Sequence, residues 1–197
     1  MEAFEAILTR RSTRKFSDKM PKKSLVKQVV DAGRHAPSGS NSQSSHFIVI
    51  ANKDKLHEIA RIVQEEFAKM EIGPDTYISL KNSIRASQNG LYVFHYNTPV
   101  LIVVANRKGY GNAMADSSCA LENMMIAANA LDLGSCWINQ LHWLDENEAV
   151  RAFMEELGLA EDETICGSLA LGYAATITGE PLREPLKRTG NPVTWVK

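Results

Sequence analysis

"PVLIVVA", residues 99–105, sets six apolar residues in a row behind a proline, four of them β-branched. The run is too short for a free-standing helix and does not alternate, so it reads as a strand whose two faces are both covered. A few residues later comes "AMADSSCALENMMIAANALDLG", residues 113–134. This is a helix rich in Ala, Met and Leu, with Gly134 placed as its stop. It is apolar nearly all round through Ala113, Ala115, Cys119, Ala120, Met124, Met125, Ala127, Ala128 and Ala130. Such a helix is buried, in a central core or between two subunits.

Outward from this pair, strands and helices keep alternating. Towards the N-terminus, Met1 to Thr9 can form a short helix with Phe4, Ile7 and Leu8 on one side. Pro21 suits the first turn of a second helix, which ends near His35 because Pro37 disfavours helical geometry at Ala36. The polar loop "HAPSGSNSQSS" (35–45) leads into the strand "HFIVIA" (46–51). A long helix from about Asp54 to Met70 carries Leu56, Ile59, Ala60, Val63 and Phe67 on one stripe. Residues 71–97 have weaker periodicity and read as a lid or interface excursion. Towards the C-terminus, "SCWI" (135–138) is a strand, "DENEAVRAFMEELG" (145–158) a capped helix and "TICGSLALGYA" (164–174) a final strand. The expected class is α/β or mixed α+β, a sheet with flanking helices, and the 197 residues suit one domain.

Composition excludes several partners. With 22 basic and 23 acidic residues the net charge is −1, so no global positive field would hold the chain on a nucleic acid. No apolar run reaches the roughly 18 residues of a membrane span, and the N-terminus lacks a signal-peptide core. Cys119, Cys136 and Cys166 are widely spaced and odd in number, and read as reduced, mostly buried residues. The expected compartment is the cytoplasm.

Familiar catalytic constellations are weak. "GYGNAM" has Gly109 and Gly111 but lacks the third glycine of a dinucleotide fingerprint, and no strand-to-helix turn is positioned correctly for one. The five histidines (35, 46, 57, 95, 142) form no close ligand pair, so no metal is expected. "PSGSNS" is not a hydrolase elbow. A catalyst without an obvious nucleophile or acid–base set needs an organic cofactor to carry its chemistry.

"RRSTRKF" (10–16) concentrates charge in an otherwise balanced chain. Arg10, Ser12 and Arg14 alternate, so an extended backbone puts them on one face. Two guanidinium forks and a hydroxyl converging there suit a terminal phosphate. Lys187 and Arg188 form a second basic pair that can meet the same anion, while a plain solvated surface remains the alternative for either cluster.

"RRSTRKF", "AGRHAPSGSNSQ", "HFIVI", "LDLGSCWI" and "LALGY", in this order, resemble the nitroreductase family of flavoproteins from about Ile7 to Arg188. "ALENMMIAANALDLGSCWINQL" is similar to the short bacterial members. The resemblance implies a mostly antiparallel central sheet flanked by helices, and an intertwined homodimer with a tightly bound FMN at each of two interface sites. By the same resemblance, Arg10, Arg11, Ser12 and Arg14 hold the ribityl phosphate and nearby hydroxyls, with Lys187 and Arg188 completing that site. Pro37, Ser38, Gly39, Ser40, Asn41 and Gln43 come from the other subunit along the flavin ring, and Trp137, Ile138, Asn139 and Gln140 pass its other face near N5. Tyr92, Phe94 and Tyr96 are candidates for an acceptor pocket.

The implied reaction takes hydride from NADH or NADPH onto flavin N5 and passes electrons to a nitroaromatic, quinone or similar acceptor. One site used twice makes the kinetics ping-pong. No catalytic side chain is assigned, because the flavin carries the chemistry. The same fold with another reaction (dehalogenation, consumption of the flavin) or a non-catalytic flavin-binding role is the alternative.

Overall fold

The computed structural model describes residues 1–90 and 92–196. Leu91, inside the expected 71–97 excursion, and Lys197 lie outside the described residues. Four strands, β1 (His46–Ile50), β2 (Val100–Arg107), β3 (Gly134–Ile138) and β4 (Glu163–Gly172), form one sheet in the order β1-β2-β4-β3. All three pairings are antiparallel. The fold is α+β, with the apolar run at residues 99–105 supplying the central β2.

That strand divides its side chains between two cores by strict alternation. Leu101, Val103 and Ala105 join a core built with the helices α3 (Lys53–Ala68), α4 (Ile78–Gln88) and α7 (Glu148–Glu156). Val100, Ile102 and Val104 join a second core with α2 (Lys23–Arg34) and α5 (Ala113–Ala130). Helices on both faces explain the unbroken apolar run, and they do so here over an antiparallel sheet. A register shift between Val104 and Ala105 of β2 leaves Cys166 of β4 without a partner in the ladder.

Local chemistry sets the ends of the helices. Asn52 caps α3 by accepting the Lys55 N–H at 3.0 Å, and Asn147 caps α7 by accepting that of Val150 at 3.1 Å. The short helix α1 (Ala3–Thr9) buries only Ala6. Phe4, Ile7 and Leu8, expected to form its packing face, are exposed in the single chain, with Phe4 at 80%. A short α6 (Gln140–Trp143) follows β3 directly.

Two of the three cysteines, Cys136 and Cys166, are buried, and Cys119 is exposed on α5. The "GYGN" segment joins β2 to α5. Both neighbours of β2 run antiparallel to it, so the turn belongs to no parallel crossover unit of the dinucleotide-binding type. Among the described residues no helix is long and apolar enough to cross a membrane.

Candidate functional site

The basic stretch leaves α1 in extended conformation and lies along the free edge of β3. Ser12 bridges Ser135 in parallel, and the Thr13 N–H donates to the Ser135 carbonyl at 2.8 Å. Gly134 is required for this approach, because a Cβ there would sit 2.7 Å from the Thr13 side chain. Alternation then separates the arginines. Arg14, Ser12 and Arg10 all act on the Cys136 thiol, whose pKa burial pushes up while these three neighbours draw it partly back. Arg10 also pairs with Glu122 of α5 at 3.5 Å. Arg11 turns the other way and donates to the Glu184 carbonyl of the C-terminal tail. A cavity of about 260 Å³ lies here, lined by Arg11, Ser12, Thr13, Arg14, Ala174 and Leu182 among others.

The tail reaches this region through Arg183. Its guanidinium donates to the Asn129 carbonyl at 2.8 Å and to Asp132 at 2.5 Å. Asn129, 2% exposed, in turn donates to the Ala6 carbonyl and the Thr9 hydroxyl of α1. Lys187 and Arg188 are exposed a few residues further on.

The polar loop occupies a different place, at the N-terminal end of α5. Asp116, 7% exposed, accepts the Gly39 N–H through both carboxylate oxygens at 3.1 and 3.2 Å. It also accepts the Tyr110 hydroxyl at 3.0 Å. Ser40, Asn41 and Gln43 stand in the left-handed backbone region, at φ 52°, 54° and 48°. Non-glycine residues held there store strain of order 1 kcal/mol each. Surrounding contacts must hold them, and Asp116 and Ser38, whose hydroxyl accepts the Gln43 N–H at 3.1 Å, do so. The exposed Asn41 and Gln43, with Pro37 and Ser38, line a cavity of about 440 Å³. Gly39 admits no side chain, since a Cβ would lie 2.2 Å from Asn112 Nδ2 and 2.6 Å from the Tyr110 hydroxyl.

Asp116 and Tyr110 were missed by sequence reasoning. The available signal was a single acid in the first turn of a helix otherwise almost wholly apolar. The two cavities share no lining residue, so one chain does not bring the loop and the basic stretch together.

At the far end of β3, Ile138 is buried in the core with α3 and α7, and its carbonyl accepts the Ser168 hydroxyl at 3.1 Å. Trp137 Nε1 donates to Asn139 Oδ1 at 2.6 Å. Gln140 Nε2 donates to the Tyr92 hydroxyl at 2.6 Å. Burial raises the Tyr92 pKa, with its hydrogen bonding to Ser83 and Gln140 opposing, so the phenol stays neutral. The backbone N–H groups of Asn139 and Gln140 have no acceptor among the described residues, as expected where a helix begins. Phe94 is fully buried in the core beside His95. It packs rather than walls a pocket, while Tyr92 and Tyr96 stay half-buried.

Known proteins share this three-layer α+β fold. The model of the nitroreductase family matches residues 7–173. A crystal structure of a nitroreductase with bound FMN from Bacteroides fragilis is 34% identical, with a TM-score of 0.86 and full coverage of both chains. One from Desulfitobacterium hafniense, also a nitroreductase with bound FMN, is 26% identical, with a TM-score of 0.81 and full coverage of both. A 4-nitrobenzoate reductase of a Nocardioides species is 27% identical over 95% of this chain and 89% of its own. The chain belongs to the nitroreductase family and is an oxidoreductase of that family.

Proposed function

We propose that the protein is an FMN-dependent oxidoreductase that takes hydride from NADH or NADPH and delivers electrons to a nitroaromatic, quinone or similar acceptor. The observation that carries this reading is the layout of β3. Arg10, Ser12 and Arg14 converge at its start beside Cys136, and the N–H groups of Asn139 and Gln140, without an acceptor among the described residues, lie at its end. Four residue steps lead from Ser135 to Asn139, roughly 13 Å, a span comparable with that of an extended flavin mononucleotide.

These residues fit FMN. The guanidinium groups of Arg10 and Arg14 and the Ser12 hydroxyl offer charged donors to a phosphate. The N–H groups at 139–140 offer donors to the polar edge of a ring. When bound, FMN supplies the redox chemistry, and the acceptor uses the place the nicotinamide leaves. The chain itself binds, orients and stabilises negative charge, and no titrating side chain is required at the site.

The second half of the site is supplied by a second copy of the chain. The strained loop at Ser38–Gln43 opens on a separate cavity, so it serves a neighbour rather than its own basic strand. The exposed Phe4, Ile7 and Leu8 of α1, with Leu186, Val193 and Trp195 of the tail, provide apolar surface for a homodimer. Lys187 and Arg188 complete the phosphate site in that assembly, and the remainder of the 71–97 excursion borders the acceptor pocket.

Purified protein should show a yellow flavin spectrum, or take up added FMN, and bleach under anaerobic NADH or NADPH. Absence of FMN uptake removes the reading. Uptake without bleaching favours the non-catalytic flavin binder.

A further inference from the structure

Tyr92, Ser83 and Gln140 form a hydrogen-bonded group that ties α4 to the end of β3. Gln140 Nε2 lies 2.6 Å from the Tyr92 hydroxyl and 3.3 Å from Ser83 Oγ. Tyr92 and Ser83 are 2.9 Å apart, and Ser83 donates to the Ser79 carbonyl one turn back at 3.1 Å. Proton counting fixes the direction of every bond. The Ser83 proton goes to Ser79, so Tyr92 donates to Ser83, and both protons of the Gln140 amide point at the two hydroxyls. Four contacts are then served by four protons. Turning the amide round would leave two protons for the same four contacts.

Ser83 is 3% exposed, while Tyr92 and Gln140 are half-buried, so the group is partly withdrawn from water. The neighbouring Asn139 is held from the opposite side, by Trp137 Nε1. Both side chains of the Asn139–Gln140 pair are thus tethered, one to the sheet and one to α4, while their N–H groups take no acceptor among the described residues.

We propose that Tyr92 is a positioning residue: with Ser83 it clamps the Gln140 side chain and so fixes the direction of the Asn139 and Gln140 backbone N–H groups. This rests on the FMN reading above and extends it to the 71–97 segment, which acts on the redox centre through Gln140 rather than only by bordering a pocket. Fixed donors stabilise developing charge because they need no reorganisation when it appears.

The test uses the FMN-loaded protein and the Tyr92→Phe variant, which keeps the ring that packs edge-on against Phe67 at 6.4 Å. Loss of the clamp lowers the preference for reduced over oxidised FMN about tenfold, a midpoint potential about 30 mV more negative for a two-electron couple. Affinity for oxidised FMN stays within about threefold, a change of roughly 0.6 kcal/mol. Gln140→Ala gives a similar shift and Ser83→Ala a smaller one of the same sign. In ¹⁵N spectra the Gln140 side-chain amide moves towards its free-solvent position in Tyr92→Phe. An unchanged midpoint potential in Tyr92→Phe overturns the proposal, as does a shift unaccompanied by movement of the Gln140 amide. If Tyr92→Phe does not fold, Ser83→Ala carries the same criteria. A wild-type protein that takes up no FMN removes the cofactor reading and this inference with it, whereas loading with an unchanged variant potential removes this inference alone.

Discussion

The Asp116 carboxylate holds the Gly39 N–H with both of its oxygens, 77 residues away in sequence, and thereby anchors a loop with three non-glycine residues in the left-handed region. Replacing Asp116 by alanine leaves the Gly39 N–H without its acceptor and the Tyr110 hydroxyl to its longer contact with the Gly39 carbonyl at 3.3 Å. The expected loss of stability is about 1–3 kcal/mol, measured by urea unfolding. FMN affinity falls further than stability alone accounts for, because the loop relaxes from its strained form. A variant as stable as wild type with the loop equally resistant to proteolysis contradicts this.

Gly39→Ala probes the same place sterically. Its Cβ would meet Asn112 Nδ2 at 2.2 Å and the Tyr110 hydroxyl at 2.6 Å. Tyr110 is held by Asp116, so the loop itself must give way. The expected outcome is a cost of about 1–3 kcal/mol and weaker FMN retention, read by thermal melting and by flavin release on gel filtration.

Arg10 and Arg14 carry the positive charge on the β3 side of the basic stretch. Their joint replacement by alanine should weaken FMN binding by roughly 100-fold, about 1.4 kcal/mol for each charged contact removed. Wild-type affinity should fall with added salt more steeply than that of the double variant. Fluorescence titration of the apoprotein measures both, and equal affinities would place the phosphate elsewhere.

His95 gives the protein an acid-sensitive core. It is 1% exposed, its Nε2 donates to the Leu56 carbonyl at 3.1 Å, and its Nδ1 has no partner among the described residues. Burial lowers its pKa below 6.5, with the Leu56 contact opposing and His57 adding to the drop. The unfolded chain therefore binds the proton first, and this contribution to stability is fully present above about pH 6.5. It is lost as pH falls from there through the folded pKa. His95→Phe should lose about 1 kcal/mol at pH 8 through the missing hydrogen bond, and decline less than wild type between pH 6.5 and 5 in urea midpoints.

Asn129 links α1, α5 and the tail. Asn129→Ala removes its bonds to Ala6, Thr9 and the Arg183 side chain. Limited proteolysis should then cut the tail after Glu180 sooner, at a stability cost of about 1–3 kcal/mol. Unaltered cleavage would show that Arg183 docks through the Asn129 carbonyl and Asp132 alone.

Much of the fold was legible because its signals are local. The apolar run of β2 and the cap of α7 act within a few residues and fall where their patterns put them, whereas α5 ends at Ala130 and Gly134, expected as its stop, opens β3. Phe94 reads as an aromatic pocket wall in sequence, yet periodicity says nothing about which neighbours close over a side chain. Gln140 and Tyr92 are 48 residues apart, and no local pattern foretells their bond.

The sequence by itself determined the elements other than α4 and α6, the alternation that puts Arg10, Ser12 and Arg14 on one side of an extended strand, and the absence of a global charge to hold a polyanion. These follow from backbone periodicity and composition. The tertiary structure decided that the strand lies on the edge of β3, that Asp116 holds the loop, and that loop and basic stretch open on separate cavities of one chain. Those depend on which distant surfaces meet when two cores close on opposite faces of one sheet, and a one-dimensional pattern does not carry that information.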